Sequence, residues 1–454
     1  MRPWMAAPIM LESRQTRVRY FIVFMLFVAS SFSYGDRVVL SIVGSALSKQ
    51  MHFGPAQLGW LLSAFSWAYV VAQLPAGGLL DRFGSKRVYG YSIIGWSICA
   101  ILAGFAGYLP ITLAFGTLFF VRLMSGAVQA PIFPGNGRIV AAWFPSAERG
   151  RASAIFNSSQ YFALVFFGPL MGWVVTHWSW QACFWLGGAM SLVLSAVWFK
   201  TVYSVKDHPT ISDAEISHIE TGGGLTGMDY GAALKSKSAT LTWSGVKLLL
   251  SERTLVGVYV GQYAITSLTW FFLTWLPIYL SQARHMSMQK VGVLSALPAL
   301  CGVIGGVLGG AVSDRFVKQG KSLSFARKVP IVIGMLCSLT LIGCNYTDST
   351  SVVIFFMALA FFGKGFGALG WTVIADVAPK PMIGLNGGLF NLIGNTAGII
   401  TPIVIGYIRE KTGSFNLGLV YVGAMALTAI LAYVFLVGEI KRVEFTQEQM
   451  EGTR

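Results

Sequence analysis

Charge is what this sequence has least of. Lys, Arg, Asp and Glu make up 11% of its 454 residues, against about 25% in soluble domains, which excludes an ordinary water-soluble fold. Acids are scarcer than bases, 18 against 33, and inside the long apolar runs there is one, Asp36. The five cysteines (Cys99, Cys183, Cys301, Cys337 and Cys344) fall within or at the ends of those runs. Thiols there behave as small apolar residues, so no disulfide and no metal site are expected. None of the five histidines lies mid-run, which argues against a histidine proton relay. No G-x-x-x-x-G-K-[ST] pattern occurs, so neither nucleotide drive nor any other cofactor is expected. The first apolar run lacks a small-residue cleavage pattern, so no cleavable signal peptide is expected.

Apolar residues are what the chain has in abundance, at 55%, with a mean hydropathy of +0.65. A helix crossing the hydrocarbon core needs roughly 20 predominantly apolar residues. Runs of that length predict an all-α polytopic membrane protein of about twelve spans, beginning near Tyr20, Gln57, Val88, Ile111, Ala152, Ala182, Leu255, Val291, Pro330, Ser351, Gly384 and Leu417. The net charge of +15 invites a nucleic-acid reading, but its distribution follows topology. With the N-terminus inside, 24 of the 33 Lys and Arg fall in cytoplasmic segments and 5 in external loops. That asymmetry predicts both termini in the cytoplasm, with the lipid bilayer and not nucleic acid as surroundings.

The spans divide six and six around a polar stretch containing TGGGLTGMDYGAALKSKSAT, too polar and Gly-rich to bury. The predicted organisation is an N-terminal six-helix half over 1–203, a cytoplasmic linker over 204–254 and a C-terminal half with a short tail over 255–454. Each half carries one signature after its second span. GGLLDRFGSKR places Gly77 four residues before Asp81 and Arg82, and GGAVSDRFVKQGK places Gly310 four before Asp314 and Arg315, offset by 233 residues in both cases. An internal two-fold repeat in a helical membrane protein predicts a transporter with its site near the midplane, between the halves.

A charge at bilayer depth costs from about 2.5 to well over 10 kcal/mol, so it persists where it is functional. Asp36 faces three bases in apolar runs, Arg37, Arg122 and Lys364. One acid and three bases predict a site for an anion with a titratable group beside it. Asp36 and Arg37 point about 100° apart on a helix and need not pair; Asp36 is either a proton-exchanging carboxylate or the fixed partner of a neighbouring base. Arg122 offers a fork suited to a carboxylate, or a fixed ion pair between spans. Gln129, seven residues on, shares its face. Lys364 cannot reach Asp376, about 18 Å along the helix; it pairs with Asp36 or contacts an anion, and shares a face with Ala368 and Trp371. Tyr69 and Gln73, Asn157, Gln160 and Tyr161, and Asn391 and Asn395 supply polar groups at helical spacing, for a ligand or for interspan bonding.

The loop signature resembles that of the major facilitator superfamily. The strings SFSYGDRVVLSI, SAFSWAYV, APIFPGNGRIVAAWFPSAERG, IFNSSQYFA, VGVYVGQY, ALAFFGKGFGALGW and GGLFNLIGN, spread over nearly all spans, resemble its anion:cation symporter branch and within it the bacterial glucarate/galactarate permeases. The resemblance implies a twelve-span fold of two six-helix halves related by pseudo-two-fold symmetry, in a bacterial inner membrane and functional as a monomer. It implies import of an organic anion, a hexarate sugar acid, by proton symport. Monocarboxylate sugar acids or aromatic acids are the alternative substrates. By the same resemblance Asp36 couples the proton, and Arg37, Tyr69, Arg122, Gln160 and Asn391 line the substrate site; Gln129, Lys364 and Trp371 are expected there from their places on the spans. Asp81, Arg82, Lys86 and Arg87 form one cytoplasmic charge-and-cap network, with Gly77, Asp314 and Arg315 in the same gating motif. The branch has Glu where this chain has Gln129, which removes a second titratable position. A sensor would need a large output domain, which a tail of roughly 17 residues does not supply, and an enzyme would need clustered acid–base or metal residues that are not found.

Overall fold

A computed structural model describes residues 16–228, 243–379 and 382–445; part of the central polar stretch and both chain ends lie outside it. Among the described residues the chain is helical and without strands. The spans are α1 (Val18–Met51), α2 (Pro55–Phe83), α3 (Ser85–Tyr108), α4 (Ile111–Trp143), α5 (Arg149–His177), α6 (Trp180–Thr201), α7 (Arg253–Thr274), α8 (Met288–Lys318), α9 (Leu323–Tyr346), α10 (Thr350–Val377), α11 (Ile383–Thr412) and α12 (Asn416–Leu436). Eleven are long and apolar enough to cross a membrane, and α2 makes the twelfth as a span bent by 60° at Pro75. Proline has no N–H to donate and its ring crowds the preceding turn, which accounts for the bend.

Local chemistry sets the ends. The hydroxyls of Ser179, Ser287 and Ser322 accept from the first-turn amides of Ala182, Lys290 and Phe325, satisfying donors that a helix start leaves unpaired. Gly84, at φ +79°, turns the chain from α2 into α3, a conformation that glycine adopts without steric cost. The Ser322 cap moves the start of α9 to Leu323, seven residues before the expected Pro330. The added turns carry Arg327 and Lys328, and both bases have partners: Arg327 meets Asp376 at 3.1 Å and Lys328 donates to the Val437 carbonyl.

The halves approach each other tightly at the end where α1 finishes and α2 begins. A Cβ on Gly168 of α5 would lie 2.9 Å from the Gly292 carbonyl oxygen of α8, and one on Gly59 of α2 would lie 2.6 Å from the Pro402 oxygen of α11. Small residues are what allow such helix contact. Polar contacts close the same end: Ser45 with Ser281, Trp60 Nε1 to Tyr407 at 3.3 Å, and Glu410 Oε2 accepting from the Ala56 amide at 2.9 Å. Toward the other end Gly77 and Gly78 of α2, and Gly384, Gly387 and Gly388 of α11, have no described neighbour within 4 Å of a built Cβ. The halves are joined at one face and diverge at the other.

The polar stretch between the halves begins, ahead of its Gly-rich string, with an ordered helix, Asp213–Thr221, capped by Ser212. Its Glu215, 0% exposed, accepts from the Thr16 hydroxyl (2.7 Å), the Val18 and Arg19 amides (3.0 and 3.2 Å) and Arg19 Nη1 (2.9 Å). Arg19 Nε reaches Glu148 at 3.1 Å, and His218 meets the other Glu148 oxygen at 3.2 Å. A carboxylate on the N-terminus of α1 satisfies its free amides and its dipole. Residues 229–242, which complete the polar stretch, lie outside the described residues.

Candidate functional site

Asp36 and Arg37 stand just past the middle of α1, where successive residues face different neighbours. Asp36 turns to α4. Its Oδ2 accepts from Arg122 Nη1 at 3.0 Å, Ser125 Oγ at 3.1 Å and Gln129 Nε2 at 2.9 Å. Arg122, Ser125 and Gln129 are three and four residues apart, one stripe of the helix. Gln129, fully buried, also accepts from Ser33 Oγ at 2.7 Å, so both ends of its amide are bonded across the helix pair. Arg122 Nη1 lies 3.3 Å from the Asp36 carbonyl oxygen as well.

Arg37 turns to α2 and has no carboxylate partner among the described residues. Its guanidinium lies 4.4 Å from the Phe65 ring centroid, 4.7 Å from Tyr34 and 5.0 Å from Tyr69. Its buried Nε finds no acceptor among the described residues. Aromatic faces attract such a cation but leave its hydrogen-bond donors for something else.

Lys364 is 8% exposed on α10, and its Nζ lies 5.3 Å from the Phe361 centroid and 5.7 Å from Tyr161. No carboxylate pairs with it among the described residues. The alternative of a Lys364–Asp36 pair is not found, since Asp36 takes Arg122. Asp376 is held by Arg327. The site therefore holds one ion pair and two further cations, Arg37 in the first half and Lys364 in the second.

Other expected residues are brought together only in part. Tyr69 stacks on Phe65 at 5.4 Å beneath Arg37. Asn391 of α11 donates to Gln73 of α2 at 3.4 Å, bridging the halves, and accepts from Asn395 at 3.0 Å. Gln160 is half-buried and donates locally to the Asn157 carbonyl at 3.3 Å; its neighbour Tyr161 is the residue that faces Lys364. The face expected to join Lys364, Ala368 and Trp371 is broken by a 3-10 turn over Gly367–Leu369. Beyond it Trp371 is 45% exposed and packs edge-on against Phe390. Ser33, Ser125, Tyr34 and Phe65 were missed, although their helical spacing from Asp36, Arg122 and Tyr69 was a usable signal.

The family model described as Major Facilitator Superfamily matches residues 25–402. The chain belongs to the major facilitator superfamily. Among similar superfamily members is the probable galactarate/D-glucarate transporter GudP of Bacillus subtilis (strain 168), 54% identical over 439 residues, with 96% of each chain covered. Its namesake from Escherichia coli (strain K12) is 51% identical, over 95% of this chain and 96% of that one. The D-galactonate transporter of Escherichia coli O6:H1 is 39% identical over 94% and 97%. Of solved structures, a D-xylose–proton symporter superposes with a TM-score of 0.71 at 12% identity, covering 94% of this chain and 99% of that one; at that identity it establishes the fold alone.

The superfamily's loop signature is laid out differently from the expected single network. Asp81 pairs with Arg138 of α4, whose Nη2 donates to the Met228 carbonyl at 2.8 Å. Lys86 lies 3.3 Å above the Tyr203 ring, Arg82 lies against its neighbour Phe83, and exposed Arg87 has no ion pair among the described residues. Gly77 borders the open end. In the second half Asp314 meets Arg327 at 3.6 Å, the same arginine that holds Asp376; Arg315 is exposed and unpaired among the described residues. Each half holds a charge cluster of its own, around Arg138 in the first and around Arg327 in the second.

Proposed function

We propose that this superfamily member imports a six-carbon sugar diacid of the glucarate/galactarate class together with protons, the two halves rocking about the site. The observation that carries the diacid is the pair of cations lacking a carboxylate, one in each half: Arg37 and Lys364. A hexarate has a carboxylate at either end, and two separated cations suit it. The names of four relatives at 49–54% identity agree with that class. A galactonate-like monoacid is the second reading, favoured by the D-galactonate transporter at 39%; it would leave one cation unmatched.

The proton step follows from the Asp36 shell. With Asp36 ionised, Arg122 is bound to it. Protonating Asp36 removes the negative partner and releases an arginine fork toward an incoming carboxylate, so proton and substrate favour the same state. Tyr69, Gln160, Asn391, Gln129 and Trp371 are proposed to complete the pocket through hydroxyl and amide contacts. The positive-inside distribution supports cytoplasmic termini and a halves-plus-linker division over 1–203, 204–254 and 255–454, and a monomer in a bacterial inner membrane is the proposed unit. On that orientation the described state is closed outside and open to the cytoplasm.

Uptake of labelled glucarate, galactarate and galactonate into proteoliposomes, with and without an imposed pH gradient, tests the reading. Lys364→Met should reduce diacid transport far more than any residual galactonate transport. Equal loss for diacid and monoacid would make Lys364 a structural cation and remove the reason for preferring a diacid.

A further inference from the structure

The Asp36 carboxylate is asymmetric. Arg122, Ser125 and Gln129 all donate to Oδ2, while Oδ1 accepts nothing from the described residues. Asp36 also borders a cavity on a different side from α4. Its walls include Asp36 of α1, Ala100 of α3, Phe167 of α5, and Cys183, Gly187 and Ser191 of α6, with a water-accessible volume of about 10 Å³. Every wall belongs to the first half, so the cavity is separate from the space between the halves where the substrate is proposed to sit. Along α1 the lining residues Phe32, Gly35, Asp36 and Val39 form one helical stripe.

A cavity holds water when it has room for about one probe sphere and two to four polar partners. Room for one is present. Asp36 offers acceptor Oδ1, and Ser191, whose hydroxyl donates to the Gly187 carbonyl at 2.8 Å, keeps its own oxygen lone pairs as acceptors. Cys183 Sγ adds a weak polar edge, donating to the Met171 carbonyl at 3.5 Å.

We propose that this cavity binds a water molecule which donates to Asp36 Oδ1 and Ser191 Oγ and carries the proton to and from Asp36 behind the substrate site. In the protonation step the water takes a proton from solvent hydronium, which is left as water, and passes one of its own to Oδ1; release reverses the transfer. The Oδ2 side is occupied by three donors, none of which offers a lone pair to a proton in transit except the Ser125 hydroxyl. A relay on the Oδ1 side lets Asp36 titrate while substrate fills the space between the halves. Cys183 and Ser191 are positioning residues for that water.

Gly187 provides the test, because a Cβ there would meet only Met171 Cε, at 3.9 Å, an ordinary contact. Gly187 lines the cavity, so Gly187→Ala and Gly187→Val add one and three carbons at its wall. The proposal rests on the proton-symport reading, so the unsubstituted protein and Asp36→Asn are measured beside them in proteoliposomes. Labelled galactarate is followed in two assays: accumulation driven by a pH gradient, and counterflow exchange, which needs no net protonation cycle. Accumulation is expected to fall roughly tenfold to a hundredfold in Gly187→Val, less in Gly187→Ala, with counterflow unchanged; a positioned proton-transfer group contributes on the order of 10²–10⁴-fold. Undiminished accumulation in Gly187→Val overturns the relay while leaving symport intact, as does an equal loss of accumulation and counterflow. No pH-driven accumulation in the unsubstituted protein overturns symport and the relay together.

Discussion

At the scale of single residues, Asp36 and Arg122 bear on the same event from opposite sides. Asp36→Asn should abolish pH-driven accumulation while leaving part of counterflow, because the amide keeps the shape but neither titrates nor attracts Arg122. Full accumulation by that variant would defeat the coupling role. Arg122→Lys keeps the charge and loses the fork; with a charge-assisted hydrogen bond worth roughly 1.5–3 kcal/mol, substrate affinity should fall on the order of tenfold to a hundredfold. Wild-type affinity in the lysine variant, measured by competition in vesicles, would leave Arg122 as a fixed partner of Asp36. The Asp36, Arg122 and Gln129 constellation was legible because intramembrane charge is rare and a seven-residue interval returns to one helix face. What was not legible is which base takes the acid. That depends on the rotation of α1 between α2 and α4, which sets Arg37 among Tyr34, Phe65 and Tyr69 instead of beside Asp36. Gln160 and Trp371 were placed by ideal helical spacing, and the breaks at Ser158 and Gly367–Leu369 redirect them.

At the scale of elements, span positions could be read from apolar length alone, with the exception of α9, whose first turns carry bases that are paired within the fold. The linker helix could not be read that way, because its one deeply buried group is an acid and its value lies in partners about 196 residues away. Removing one partner of a buried pair costs about 3–5 kcal/mol, so Glu215→Ala should undock Asp213–Thr221 and expose it to limited proteolysis. Unchanged protection would show that Val205 and Ile219 hold the helix by packing alone. Glu148 adds a pH dependence. Burial pushes its carboxyl up, but the His218 and Arg19 hydrogen bonds and their charges outweigh that and hold it below the ordinary range. A depressed carboxyl contributes stability that is complete above its unfolded value and is lost as pH falls through the folded one. Protection of the linker helix from protease should therefore hold from neutral pH down to the ordinary carboxylate range and decline only at more acid pH. Loss of protection on mild acidification toward pH 6 would count against the Glu148 contact as its basis.

At the scale of the whole molecule, charge balance limits how the halves can move their cargo. A dianion carried against an inside-negative potential costs about 2.3 kcal/mol per charge per 100 mV. Among the described residues the site contains one carboxylate, Asp36, since Gln129 occupies the neighbouring position and Asp376 is held by Arg327. On the proposed symport with one proton, each dianion enters with one net negative charge. Imposing an inside-negative potential of about 100 mV at a fixed pH gradient should then lower steady-state galactarate accumulation by roughly 50-fold. Accumulation indifferent to potential would mean that two protons move per substrate and that a second group titrates during the cycle. Gln129→Glu gives the converse measurement: it places a second carboxylate within reach of Ser33, Ser125 and Asp36, and should make uptake less sensitive to potential and more sensitive to pH. If the glutamate variant and the unsubstituted protein respond alike to potential, residue 129 does not set the charge carried per cycle. The joined end of the halves, with Gly168 on Gly292 and Gly59 on Pro402, is untouched by this substitution, so a change in potential dependence would report the charge of the site and not the closure of the fold.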